Sequence, residues 1–467
     1  MRSIFYKNIG YSFAAQFSQL CLSCIITLLL PLLLGVEEFG YWQLFIFYTQ
    51  YGAFFHFGLI DGIYLREGGK RYIDLDYAAI GYQQRLLFIV DFFFLLLYIW
   101  IASSIENLNR SFIIILSGVL MLVGNLTNFY SMLLSSVNEF KVTSIGRLCF
   151  SLSFMSFVLL SFFYYRFSCF KPYVIAYIVS YSFYMIFCLY KSKEIFYYVF
   201  NKGVKDYRIE ALENFKRGFV LLIANITGML LLGITRFFID SRWGIEVFGK
   251  VSYSLVVVNF VLMFISEISA VMYPELRMRG ERTVDGHFLK IQKILMILTP
   301  VVLFLYYPVS YIIEHFLPDY IQSVKYMVFL LPVCVYEAKV MLQVNTYFKV
   351  LNKPKELLFS NLEALLFGTL FSLLAVFYFD NVILAIITMP LTICFQYVIS
   401  LKKLRPSTYL TDLRDIIPEA ILIVYFIIIN TFIPTIITNI LLFFVAVTIY
   451  GYFCKSAKTY FFYLFIK

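Results

Sequence analysis

Gly35-Val36-Glu37-Glu38-Phe39-Gly40 returns 209 positions later as Gly244-Ile245-Glu246-Val247-Phe248-Gly249, with four of the six residues identical. Each copy separates two long apolar runs, 9–34 from 39–65 in the first case and 218–240 from 247–273 in the second. A helix needs about 20 apolar residues to cross roughly 30 Å of hydrocarbon, so each copy reads as a tight loop between two spans. The same offset carries the first span onto the seventh and the sixth onto the twelfth. Six is even, so the two halves keep one orientation and read as parallel repeats about an axis along the membrane normal.

The remaining spans follow by the same measure. Those at 78–104, 111–136, 142–165 and 172–190 complete the first half. Those at 288–313, 324–348, 357–379 and 382–401 complete the second, and 416–432 and 435–454 lie outside the repeat. The expected fold is an all-α integral membrane protein of about fourteen transmembrane helices. Its parts are an N-lobe at 1–200, a polar linker at 201–217, a C-lobe at 218–404 and two additional helices within 405–467.

Composition agrees and excludes the alternatives. Of 467 residues, 61% are hydrophobic and only 14% charged, where a soluble domain carries about a quarter charged residues. That is too little charge to cover the surface of a soluble enzyme of this size. The net charge of +10 does not point to nucleic acid, because the basic residues sit beside apolar runs and not on a solvated face. The eight cysteines are scattered; Cys21 and Cys24 form a CxxC, but inside an apolar span with no second pair nearby. His56, His287 and His315 have no metal-binding spacing. There is no P-loop, GxSxG or HExxH, so no catalytic residue, metal or cofactor is expected. The first apolar run is too long for a cleavable signal peptide and ends without a small-residue cleavage site.

Loop charge sets the orientation, since cytoplasmic loops collect Lys and Arg. With both termini in the cytoplasm, the outer loops hold only Arg110, Arg166, Lys171 and Arg242 of the 38 basic residues. A shift of one span would break this alternation.

Polar stripes inside spans mark a cavity or a helix contact, because a lipid-facing residue has no reason to be polar. Ser12, Gln16, Gln19, Ser23 and Thr27 share one face of the first span, and Gln43 and Gln50 lie on the second. Under the offset Gln16 maps to Asn225, Gln43 to Ser252, Gln50 to Asn259 and Thr27 to Arg236. Arg236 is thus placed on an interior stripe, or it is a helix-end arginine that snorkels or pairs with Asp240 at i+4. Lys250 and Lys325 sit at span ends and read as snorkelling side chains. Lys339 lies near the middle of the tenth span and begins a stripe with Gln343 and Tyr347. A lysine at that depth costs at least about 2.5 kcal/mol, so it requires a carboxylate partner or a wet cavity. Glu337 points to the other side of the helix and is not that partner. Arg85 and Arg147 lie toward the inner ends of the third and fifth spans, where a lumen role and an internal ion pair stay open. The candidate substrate-binding set is Lys339, Arg236, Arg85, Arg147, Gln16, Gln50, Asn225, Asn259 and Gln343.

The run Gly35-Val-Glu-Glu-Phe-Gly-Tyr-Trp-Gln-Leu-Phe, with His56-Phe-Gly-Leu-Ile-Asp-Gly62, Arg66-Glu-Gly-Gly69, and Phe248-Gly-Lys-Val-Ser-Tyr through Tyr273-Pro274, resembles bacterial O-antigen and capsule oligosaccharide flippases. These form the polysaccharide transporter family of the multidrug/oligosaccharidyl-lipid/polysaccharide exporter superfamily. The resemblance implies two six-helix lobes in a V around a central cavity, working by alternating access in the inner membrane. It implies transfer of an undecaprenyl-diphosphate-linked oligosaccharide from the cytoplasmic to the outer leaflet. The implied partners are that lipid-linked substrate, membrane lipid, and polysaccharide polymerase and chain-length proteins. The two extra C-terminal helices are similar in number to those that hold the lipid tail in peptidoglycan-precursor flippases. A multidrug or cation antiporter of the same superfamily is the nearest alternative, and a membrane polysaccharide polymerase or ligase a further one. The former often uses intramembrane carboxylates, which here are scattered as Asp91, Glu267 and Glu337; the latter usually carries a long outer loop that this chain lacks.

Overall fold

The computed structural model describes residues 2–200, 207–279, 284–351, 353–404 and 409–453. Among them every regular element is helical. Ten helices among the described residues are long and apolar enough to cross a membrane. Two of these are kinked pairs, and two shorter apolar helices follow at Ile416–Phe432 and Ile436–Tyr452, which brings the spans to the expected fourteen. Contacts divide the chain into two compact units, Met1–Ile226 and Thr227–Lys467.

In the first unit α1 (Arg2–Gly52) holds both the first span and most of the second, bent at Gly35. After a short break, α2 (Leu59–Glu67) completes the second span. The third to sixth spans are α3 (Tyr77–Ser103), α4 (Leu108–Ser136), α5 (Phe140–Leu160) and α6 (Lys171–Lys191). Side chains at the breaks explain where the helices start. Asp76 accepts from the Ala78 and Ala79 N–H groups at the head of α3, and Asn107 does the same for Asn109 and Arg110 at the head of α4. Such caps satisfy donors that a helix leaves free at its first turn. The core of the unit is aromatic: the Trp42 ring stacks on Phe154 at 5.7 Å, and Tyr177 meets both edge-on.

α7 (Lys193–Phe200) packs on α3. Of the stretch expected as a polar linker, residues 201–206 lie outside the described set. From Arg208 the chain is already in α8 (Arg208–Arg279). The start of α8 is pressed onto α2. A Cβ built on Gly218 would stand 1.9 Å from the Gly58 carbonyl oxygen, and one on Gly62 1.9 Å from that of Asn214. Only glycine allows two backbones this close. Arg66 Nη2 then meets Glu210 at 3.0 Å, and Asn214 donates to Gln83 Oε1 at 2.8 Å. The charges of 208–217 are therefore partly helix-to-helix contacts. The unit boundary falls inside α8, so one helix begins in the first unit and ends in the second.

In the second unit α8 bends at Gly244 to join spans seven and eight. The ninth span is broken into α9 (Val284–Phe304) and α10 (Tyr306–Phe316). The tenth is α11 (Ile321–Lys339), continued through a π-helical stretch Val340–Asn345 into α12 (Thr346–Val350). α13 (Pro354–Leu373) and α14 (Val382–Leu404) close the repeat, and α15 (Tyr409–Phe432) and α16 (Ile436–Phe453) follow it. α11 is the buried centre of this unit, with neighbours in α9, α14 and α15.

Candidate functional site

The repeated hexapeptide is a bend in both copies. Gly35 has φ 68° and ψ −179°; Gly244 has φ 78° and ψ −171°. This is a region that residues with a side chain essentially do not visit. Phe39 and Phe248, four residues on, are both fully buried. Of the four polar pairs related by the offset, two match in setting, while Gln16 with Asn225 and Thr27 with Arg236 do not. Gln43 and Ser252 are buried, and Gln50 and Asn259 are both exposed. Gln16 is half-buried and Asn225 exposed.

Arg236 reaches across the α8 bend. Its Nη2 donates to Ser252 Oγ at 3.0 Å, and its guanidinium lies 5.1 Å from the centre of the Phe248 ring. Both of these contacts come from the segment that follows its own loop.

Arg85 and Arg147 of the first unit lie in separate surroundings. Arg85 lies over the Tyr82 ring at 5.8 Å, and its buried Nε has no hydrogen-bond partner among the described residues. Arg147 is half-buried beside Tyr181 and Tyr184. Asp91, 0% exposed at the middle of α3, is bonded by Asn125 Nδ2 of α4 at 2.8 Å and not by Arg85.

Lys339 is 1% exposed and pairs with Glu419 of α15, itself 0% exposed. Of the two environments that its depth required, the carboxylate partner is the one present. Thr299 Oγ1 donates to the other Glu419 oxygen at 3.0 Å. Lys339 Nζ also lies 5.3 Å from the Tyr397 ring centre, and the Tyr397 hydroxyl donates to Gln343 Oε1 at 2.7 Å. Gln343 Nε2 donates to the Phe288 carbonyl at 3.3 Å. Lys339 and Gln343 thus meet through Tyr397 in one buried network, whereas Arg85 and Arg147 share no contact. Glu419 was missed in the sequence. The signal for it is a lone carboxylate at the head of an apolar run, where burial demands a cation.

α15 and α16 form between them an apolar groove of about 380 Å³, with Ile417, Ile421 and Tyr425 on one side and Val445, Ile449 and Tyr450 on the other. No protein-family model and no curated protein matches the chain. Solved structures do. A lipid II flippase MurJ, in an inward closed conformation, superposes with a TM-score of 0.68 at 11% identity, covering 97% of this chain and 99% of that one. Two multidrug resistance MATE family transporters of the MOP superfamily, inward-facing and outward-facing, give 0.59 and 0.54 at 13% identity. They cover 87% and 88% of this chain, and 95% and 96% of theirs. The chain has the MurJ/MATE-like fold. That fold, with the apolar length of its helices, makes this a multi-pass membrane protein.

Proposed function

We propose that this protein is a flippase that moves an undecaprenyl-diphosphate-linked oligosaccharide, an O-antigen or capsule repeat unit, from the cytoplasmic to the outer leaflet by alternating access. The observation that carries the reading is the length of the flippase match. MurJ is covered end to end, while the MATE transporters leave uncovered a share of this chain comparable to α15 and α16 together. The apolar groove on those two helices suits a hydrocarbon tail, and a diphosphate needs a cationic path. Arg236, Arg85 and Arg147 supply charge for it, with Gln16, Gln50, Asn225 and Asn259 as hydrogen-bonding groups for sugar. Lys339, with Gln343 beside it, serves substrate only in a state where its bond to Glu419 opens. Outward movement of an anion is downhill under an inside-negative potential, by about 2.3 kcal/mol per charge per 100 mV.

Deleting the gene in its native host and analysing lipid-linked sugars tests the reading. A single undecaprenyl-diphosphate oligosaccharide should accumulate on the cytoplasmic side, and Arg236→Ala should fail to restore surface polysaccharide although the protein inserts normally. No accumulation would sink the flippase reading. A multidrug or cation antiporter is the second reading, favoured by one observation. Asp91 is a fully buried carboxylate whose Oδ2 has no hydrogen-bond partner among the described residues. Drug sensitivity of the deletion strain, without accumulated lipid-linked sugar, would favour that reading.

A further inference from the structure

Two side chains at the middle of the first unit each leave an acceptor unused. Asp91 of α3 and Asn125 of α4 are both 0% exposed. Asn125 Nδ2 donates to Asp91 Oδ1 at 2.8 Å, and neither side chain makes another hydrogen bond among the described residues. The oxygens left over are Asp91 Oδ2 and Asn125 Oδ1. Buried polar atoms are rarely left in this state. An ionised Asp91 would also be a bare charge at the depth where charge is most costly. No cation answers it. α3 packs on α4, on α7 and on the short stretch Ala53–His56. α4 brings Arg110 and Tyr130, and α7 brings Lys193 and Glu194 with the Tyr197–Tyr198 pair; the short stretch brings His56. None of these bonds Asp91, and neither does Arg85 on its own helix.

We propose that Asp91 and Asn125 are the site of a resident proton. With the proton on Oδ2, Asp91 becomes a donor and bonds Asn125 Oδ1. Acid and amide then face each other through two hydrogen bonds, and neither oxygen is orphaned. A proton needs two acceptors, and the pair offers two; a hard metal ion takes about six oxygens. The same proton removes the charge, so the carboxyl group sits at this depth without a counter-ion. A second neutral bond joins the same helices, from the Tyr130 hydroxyl of α4 to Gln84 of α3. Gln84 lies about two turns before Asp91 along α3, so the two helices are clasped at two heights by uncharged pairs. The proposal rests on neither functional reading. It does bear on the second, because a proton that stays in place drives no transport.

The test is infrared difference spectroscopy of the purified full chain at neutral pH, wild type against Asp91→Asn. A protonated-carboxyl band should be present in the wild type and missing from the variant. Asp91→Asn should melt with the wild type and restore the deletion strain in full, because an amide at 91 donates to Asn125 Oδ1 as the acid does. Combining Asp91→Asn with Asn125→Asp exchanges the partners and should bring the band back. Asn125→Leu leaves the acid alone, so the band should move to the higher frequency of an unbonded carboxyl and melting should fall by several degrees. Should Asn125→Leu not fold, the wild-type band and Asp91→Asn decide. Absence of the band in the wild type means an ionised Asp91 with water on the orphaned oxygens, and overturns the proposal. So does an Asp91→Asn protein that fails to fold. An Asp91→Asn protein that inserts normally but does not restore the strain overturns it too, since the proton must then leave, as at a coupling site. Failure of the flippase reading in the host experiment would leave the band unchanged, so the two failures are distinguishable.

Discussion

The offset of 209 that pairs the two bends also carries Tyr130 of α4 onto Lys339 of α11. Both side chains are buried at the centre of their units, 0% and 1% exposed. In the first unit the group is a neutral hydroxyl, and it donates to Gln84 of α3. In the second it is an ammonium, and its counter-charge comes from Glu419 on α15, outside the repeat. A neutral pair can be closed by a neighbour in the same six-helix set. A charged pair needs a carboxylate that is itself buried, and here it is delivered by an extra helix. The two units share a backbone plan and differ in how the same deep position is neutralised. The additional helices are thereby tied to the repeat at its core as well as along its edge.

Removing the carboxylate is the most severe way to break this comparison. Glu419→Gln should destabilise the protein by about 3–5 kcal/mol, the usual cost of leaving one member of a buried pair alone. Thermal unfolding in detergent checks this, and Lys339→Tyr combined with Glu419→Gln, which imitates the first unit, should recover most of the loss. If Glu419→Gln alone melts like the wild type, the pair does not hold α15. Gly35→Ala and Gly244→Ala should each cost about 1–3 kcal/mol from backbone strain, because no neighbouring atom lies within 4 Å of an added Cβ at either site. Similar losses at both positions are the expected result; a loss at only one would show that the bends are not equivalent. Tyr130→Phe should cost about 0.5–1.5 kcal/mol, the worth of one neutral hydrogen bond, and so fall well below Glu419→Gln by the same measurement.

The smallest effect is expected from Asp380→Asn. Asp380 accepts two bonds of 2.9 Å from the Arg242 guanidinium, which hold its carboxyl below the ordinary value. The pair's contribution is therefore present above the usual carboxylate range and vanishes only as acid protonates Asp380. An exposed pair of this kind contributes little. Melting curves of wild type and variant should nearly coincide at pH 7 and merge in acid.

Much of this architecture was legible from the chain. Helices that cross hydrocarbon must be apolar for a fixed length, so span number follows from composition, and the glycines of the repeated loop mark bends because few other residues tolerate them. The demand of Lys339 for a carboxylate or water was also legible, since burial of a charge has a known cost. Its partner was not. Glu419 is 80 positions away on a helix with no counterpart in the other half, so neither periodicity nor the repeat points to it. The start of α8 was misleading for a different reason. Glu210 and Glu213 look like solvated loop charges, but Arg66 reaches both, and the glycines that draw α8 onto α2 resemble ordinary turn residues. Arg85 and Asp91 share a helix, yet Asp91 takes its hydrogen bond from Asn125 across to α4, a contact that spacing along one helix does not reveal.

The distance between Lys339 and Glu419 also has a meaning in time. A ribosome adding roughly 5–20 residues per second needs roughly 4–16 s to travel the 80 residues between them. For that interval α11 waits with a lysine whose counter-charge has not yet been made. The nascent chain must keep this helix near water or the insertion machinery until α15 emerges. A ribosome stall or a stop codon between them would strand a half-built bundle with an unneutralised cation at its centre, and such fragments should be prime targets for membrane proteases.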